Sequence, residues 1–283
     1  MKIFKLSLIP FAFCCVVFFS SAPFSSCTKT ETEIVHDTVK IIVRDTIIKT
    51  DTLYDIKTGL IAYFNFNKGT LNDSSGLNNH IVLNNGATKT VDRFGKADNA
   101  YLFNGAGNFM RVANSASLSP ANITMMSIVK VNGFYKGDYR QNQILIKGYK
   151  DEFNGIYGLR VGPTTGDCCT TPLDSTKEAF FGYYGNYGST VGTFDPTSYV
   201  EKNKWIAVVV TYDGFRIKIY VDGVLKNTSL GSPFYNPNPY DLLIGGTENA
   251  TYPYWFNGAI DEIRIYNRAL SEEAVKQLSK LKE

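Results

Sequence analysis

Trp205-Ile206-Ala207-Val208-Val209-Val210-Thr211-Tyr212 is followed by Asp213-Gly214, then Phe215-Arg216-Ile217-Lys218-Ile219-Tyr220-Val221, then Asp222-Gly223 and Val224 onward. Each apolar run has the length of a strand and is rich in β-branched and aromatic residues, and each break is Asp-Gly. Gly accepts the positive φ that a tight hairpin turn requires, so Asp-Gly between such runs predicts a hairpin. Two in succession predict a three-stranded antiparallel meander.

The same texture extends outward. Leu60, Ala62, Phe64 and Phe66 alternate with Ile61, Tyr63, Asn65 and Asn67 at the period of a strand with one face in a core. Further strands are predicted at His80 to Leu83, Tyr101 to Phe103, Phe109 to Val112, Thr124 to Val131, Gln143 to Lys147, Gly155 to Val161, Ala179 to Tyr184 and Gly258 to Tyr266. A short helix should follow: Ser271 is a natural N-cap, Glu272 and Glu273 suit the positive helix end, and Leu270 can staple onto Val275. Alternating βα units are missing, so the pattern predicts an all-β sandwich of two antiparallel sheets with one terminal helix.

Composition agrees. Of 283 residues 44% are hydrophobic and 19% charged, which excludes a disordered or collagenous chain. Lys and Arg number 29 against 26 acids, a net +3 too balanced for the wide positive field that nucleic acid requires.

The chain opens with Lys2 and Lys5 before the apolar stretch Leu6 to Phe19, which suits an export signal and is shorter than the roughly 20 residues that span a bilayer. Phe24-Ser25-Ser26-Cys27 resembles the lipobox of bacterial lipoproteins, with Phe24 where Leu is usual. That resemblance implies a diacylated Cys27 and an outer-membrane or cell-surface location. Ordinary secretion with cleavage near Ala22 is the alternative, made awkward by Pro23. Loss of residues 1–26 removes two lysines and no acid, so the charge falls from +3 to +1 and leaves little net attraction to anionic lipid. Residues 27–58, with Asp37-Thr38, Asp45-Thr46 and Asp51-Thr52, read as an extended Thr-rich stalk whose Ile and Val residues allow self-association. Residues 59–283 form the domain. Of the five Cys, Cys14 and Cys15 leave with the signal and Cys27 carries lipid, so Cys168 and Cys169 remain as free thiols or a strained vicinal disulfide.

Several stretches resemble a LamG-like jelly roll domain of the concanavalin A-like lectin and glucanase superfamily. They are Gly59-Leu60-Ile61-Ala62-Tyr63-Phe64-Asn65-Phe66, Leu71 to His80, Asp92-Arg93-Phe94-Gly95-Lys96-Ala97, Tyr101 to Gly105, Tyr220-Val221-Asp222-Gly223 and Phe256 to Ser271. The likeness spans Gly59 to about Leu281, and Gly133 to Tyr199 departs from it. With the lipobox and stalk, the chain is similar to envelope lipoproteins of Bacteroidetes-type bacteria.

The superfamily includes glucanases, so hydrolysis has to be weighed. A retaining glycosidase needs two carboxylates about 5 Å apart. No Glu has an Asp two positions later, and Asp261 and Glu262, being adjacent on a strand, should point to opposite faces. A glycoside hydrolase with acids from separate strands stays as the alternative, as does a structural protein-binding envelope subunit. His80 is expected to make a structural hydrogen bond. The resemblance also implies a structural calcium, for which Asp73, Asp261 and Asn67 are the candidates, because the first and last strands of a jelly roll pair. Asp73 serving only as a turn cap is the alternative. Sugar binding requires flat aromatic faces bordered by amides. The candidates are Tyr183, Tyr184 and Tyr187 and, further on, Tyr252, Tyr254 and Trp255, either as an exposed platform or packed within strands and loops, while Trp205 is expected in the core. The resulting expectation is a non-catalytic, lectin-like or adhesive module that binds a glycan or another surface macromolecule.

Overall fold

The computed structural model describes residues 31–35, 38–43, 46–47, 54–135, 141–148, 155–163, 178–185, 191–197, 199–231 and 237–281. Cys27, Cys168, Cys169, Tyr187 and the signal segment lie outside the described residues. The chain forms two compact units, dividing between Leu53 and Tyr54.

In the first unit β1 (Glu31–Val35), β2 (Thr38–Val43) and β3 (Thr46–Ile47) make a three-stranded antiparallel sheet, with Ile34 opposite Val39 and Ile42 opposite Ile47. The segment read as a Thr-rich stalk thus holds strands that pair with one another. Its β-branched runs favour strands, and the polar pairs His36-Asp37 and Arg44-Asp45 fall between them.

The second unit holds β4 (Leu60–Phe64), β5 (Ile81–Asn85), β6 (Thr88–Thr90), β7 (Ala100–Asn104), β8 (Phe109–Val112), β9 (Ile123–Gly133), β10 (Asn142–Gly148), β11 (Gly155–Pro163) and β12 (Glu178–Tyr184). It continues with β13 (Val191–Phe194), β14 (Trp205–Tyr212), β15 (Arg216–Val221), β16 (Val224–Leu230), β17 (Leu242–Ile244), β18 (Asn257–Tyr266) and α1 (Glu272–Leu278). The order β13-β12-β11-β10-β17-β8-β5 makes a seven-stranded sheet. The order β16-β15-β14-β9-β18-β7-β6, with β4 also paired to β18, makes an eight-stranded one. All pairings are antiparallel, and the domain is the two-sheet jelly roll with one terminal helix.

The meander forms as read. Val221 pairs with Val224 around Asp222 (φ 51) and Gly223 (φ 76), two positive φ values in the two-residue turn. At the other turn Tyr212 pairs with Ile217, and Asp213 Oδ1 accepts from the Phe215 and Arg216 amides, leaving Phe215 outside the strand.

Burial explains why β14 is apolar on both faces. Val208, Val210 and Tyr212 enter the core between the sheets with Met125, Val129, Leu145, Leu159 and Ile244. Ala207 and Val209 lie on the opposite face with Met126, Ile128 and Tyr266, under Ala274, Val275 and Leu278 of α1. The helix is capped by Ser271 Oγ, which accepts from the Ala274 amide at 3.2 Å. Trp205, at the strand start, is half-buried beside this second cluster with Lys130 Nζ 5.1 Å from its ring, a position short of the core expected for it.

The domain begins before Gly59. Gln277 of α1 exchanges hydrogen bonds with the Tyr54 backbone, Tyr266 Oη donates to Ile56 O, and Arg268 donates to Asp55 O and Thr58 O. Residues 54–58 are therefore strapped to the C-terminal elements.

Candidate functional site

The connection from β17 to β18 is held in one shape by its own hydrogen bonds. The Thr247 amide donates to Pro253 O and Thr247 Oγ1 to Tyr252 O, both at 2.8 Å, while Asn249 Oδ1 accepts from the Thr251 and Tyr252 amides. A side chain at Gly246 would come within 2.9 Å of Trp255 Cδ1, so Gly there lets the indole close onto the loop. Tyr254 adopts φ 48, an uncommon value for a non-glycine residue, and its carbonyl accepts from the Gln143 amide of β10 at 2.8 Å. The Tyr252 and Tyr254 rings stack with centroids 6.1 Å apart, and Trp255 meets Tyr135 edge-on at 6.1 Å. Tyr135, Tyr252 and Trp255 are half-buried, whereas Tyr254 is only 2% exposed.

The β12 tyrosines separate. Successive strand residues point to opposite faces, and Tyr184 lies between the sheets, stacked on Tyr212 at 4.3 Å and donating to Pro120 O. The platform reading of Tyr184 is thereby corrected, and Tyr184 is core. Tyr183 lies on the outer face of the seven-stranded sheet with Ile146 and Leu243, also buried rather than exposed. Its ring occupies the space above Gly158, where a Cβ would lie 2.2 Å from Tyr183 Oη. Gln143 Nε2 donates to Tyr183 Oη at 3.3 Å and to Leu145 O at 2.8 Å. Gln143 therefore ties Tyr183 to the Tyr254 backbone, and its own Oε1 is buried with no donor among the described residues. Half-exposed Tyr135, Tyr252 and Trp255, backed by buried Tyr254, Tyr183 and Gln143, replace the fully exposed platform. Tyr135 and Gln143 were missed; a glutamine at the head of the apolar run Ile144-Leu145-Ile146 was the available signal.

The calcium candidates also separate. Asp73 Oδ1 accepts from the Tyr63 and Ser75 amides, and Oδ2 from Ser75 Oγ and the Asn79 amide. Four donors saturate it as the hub of its turn, and it does not fit a metal ligand. His80 accepts from the Asp73 amide through Nδ1 in the same turn.

Asp261 and Asn67 present a different chemistry. β18 shifts register between Ile260 and Glu262, a bulge that leaves Asp261 outside the ladder. Both Asp261 and Glu262 then meet Arg93, at 2.8 and 3.2 Å, correcting the expectation that they face opposite ways. Burial pushes the Asp261 carboxyl up to about 6 against the pull of Arg93. Asp261 Oδ1 and Asn67 Oδ1 are both buried without a donor. A hydrogen-bond chain joins their neighbourhoods, from the Lys68 amide to Asn99, from Asn99 to Asp92, and from the Arg93 amide to Asp261 Oδ2. Each orphaned acceptor is an oxygen of the kind a hard cation takes, although Asp261 already holds the Arg93 guanidinium at 2.8 Å. Among the described residues no three His, Cys, Asp or Glu side chains cluster as ligands.

This architecture is that of lectin-like domains. A family model, Laminin_G_3, described as the concanavalin A-like lectin/glucanases superfamily, matches residues 104–276, and the chain belongs to that family. Among solved structures, the chain is similar to domain 4 of AbnA, an extracellular arabinanase from Geobacillus stearothermophilus, in complex with arabinotriose. That match has 21% identity and TM-score 0.55, covering 78% of this chain and 98% of that one. It is also similar to the binding domain of Paraclostridial Mosquitocidal Protein 1 (16%, TM-score 0.59, 80% and 52% covered). A third match is the binding domain of botulinum neurotoxin DC in complex with SialylT (13%, TM-score 0.57, 80% and 52% covered). The chain spans about half the length of these toxin binding domains, and at these identities the likeness is one of fold.

Proposed function

We propose that the protein is a non-catalytic carbohydrate-binding module of an exported envelope lipoprotein, anchored through Cys27. The observation that carries this reading is the β17–β18 loop, where half-exposed Tyr252 and Trp255 are held by hydrogen bonds internal to the loop and by Tyr254 at φ 48. A site ordered before its ligand arrives loses little entropy on binding, and aromatic faces suit the C–H side of a sugar. The similarity to an arabinanase domain bound to arabinotriose and to a toxin domain bound to SialylT supports the same reading. The glycosidase alternative gains little from the one carboxylate pair on β18, because Arg93 bridges Asp261 and Glu262 and both are buried. A calcium held by Asp261 and Asn67 would stabilise the fold at the junction where β18 exchanges β7 for β4 as its neighbour. An oligosaccharide array probed with the chain from Thr28 onward tests the function. Binding to at least one glycan class, weakened by Trp255→Ala, is the expected result.

A further inference from the structure

The outer face of the eight-stranded sheet ends in a basic rim that the net charge conceals. Val91 and Phe94, each 44% exposed, stand on the turn after β6, with Arg93 4.6 Å and Lys96 Nζ 5.9 Å from the Phe94 ring centre. Asp92 is spent inside that turn, accepting from the Phe94 and Lys96 amides, and Asp98 is its exposed acid. The Lys89 side chain lies across Gly69, where a Cβ would meet Lys89 Cε at 2.2 Å, and so sits beside Lys68. Arg93 Nη2 also reaches Leu281 O, which brings Lys280, next in the chain, to the same rim. Lys68, Lys89 and Lys280 are exposed and have no ion-pair partner among the described residues, while Asp261 and Glu262 are buried against Arg93.

Tyr54 is bonded to Gln277, four residues before Leu281, so the strap lies close to the rim. Exposed Phe and Val ringed by cations is the chemistry of an interfacial anchor on anionic lipid, with the apolar groups entering the headgroup boundary and the cations facing phosphate. We propose that the rim formed by Lys68, Lys89, Phe94, Lys96 and Lys280 docks the domain on an anionic membrane surface. The glycan-binding reading is not required for this.

The test is flotation of the chain from Thr28 onward, which lacks both leader and lipid, on vesicles of phosphatidylcholine with phosphatidylglycerol and on phosphatidylcholine alone. Partitioning onto the anionic vesicles only, falling with added salt, is expected. Lys68→Glu/Lys89→Glu/Lys280→Glu should weaken it at least about tenfold, and Phe94→Ser should weaken it without changing the salt dependence. If the triple variant melts early, Lys89→Gln/Lys280→Gln replaces it, with a smaller loss expected. Equal binding to both vesicle types, or unchanged binding of the variants, overturns the proposal. Capture by soluble polygalacturonate without vesicle binding also overturns it and assigns the rim to an acidic glycan.

Discussion

Replacing Tyr184 with Ala separates a core aromatic from a ligand-facing one. The ring is 1% exposed, stacks on Tyr212 at 4.3 Å and donates its hydroxyl to Pro120 O at 2.8 Å. Truncating a packed aromatic costs about 3–5 kcal/mol. Within that total the stack contributes about 0.5–1.5 kcal/mol, and the hydrogen bond adds about 1 kcal/mol. In a domain of this size each kcal/mol moves the melting temperature by about 2–4 °C, so Tyr184→Ala should melt about 6–20 °C lower. Tyr184→Phe, which loses only the hydroxyl, should cost about 1 kcal/mol. Calorimetry on both variants, beside Trp255→Ala, reads the contrast directly. A Tyr184→Ala protein melting within a degree or two of wild type would refute its placement between the sheets.

Three further outcomes follow from the structure. Lys147 is fully buried, donates to Asn114 Oδ1 and Tyr240 O, and is pushed down to about 8 by burial, against the pull of Asp241. Its folded-state value lies below the unfolded 10.5, so the wild type should gain stability relative to Lys147→Met as pH rises through that window. The gain is at most about 3 kcal/mol, with no change below pH 8; parallel stability curves would contradict it. Calcium should raise the melting temperature, chelation should reverse the rise, and Asp261→Asn should abolish the response; an unresponsive wild type would reject the site. Cys27→Ala should release the protein from the membrane fraction and remove a radiolabelled acyl group, and retained label would dismiss the anchor.

The fold was legible because its signals are local. Asp222-Gly223 marks a turn whose φ values only that kind of pair accepts readily, and Ala62, Phe64 and Phe66 alternate into the core as read. At the strand start a register shift puts Ile61 in that core and Leu60 on the helix-covered side, a local irregularity the alternation does not carry. The run Trp205 to Tyr212 hides its two faces because α1 covers the side opposite the core, a fact of tertiary packing. Tyr183 and Tyr184 show the limit for the site. Adjacent tyrosines advertise an aromatic patch, yet strand alternation sends one of them inward. The meeting of Asp261 and Glu262 at Arg93 depends on a bulge, and the strain at Tyr254 on a hydrogen bond from Gln143; neither leaves a composition signal. The basic rim went unseen because net charge sums over the whole chain and carries no information on position.

The most direct test of the carbohydrate-binding reading is titration of array-identified oligosaccharide into wild-type and Trp255→Ala protein by calorimetry, with melting curves run alongside. Loss of about 1–3 kcal/mol of binding, with the melting temperature nearly unchanged, is the predicted result. No glycan bound on the array, or an affinity in Trp255→Ala equal to wild type, would contradict it.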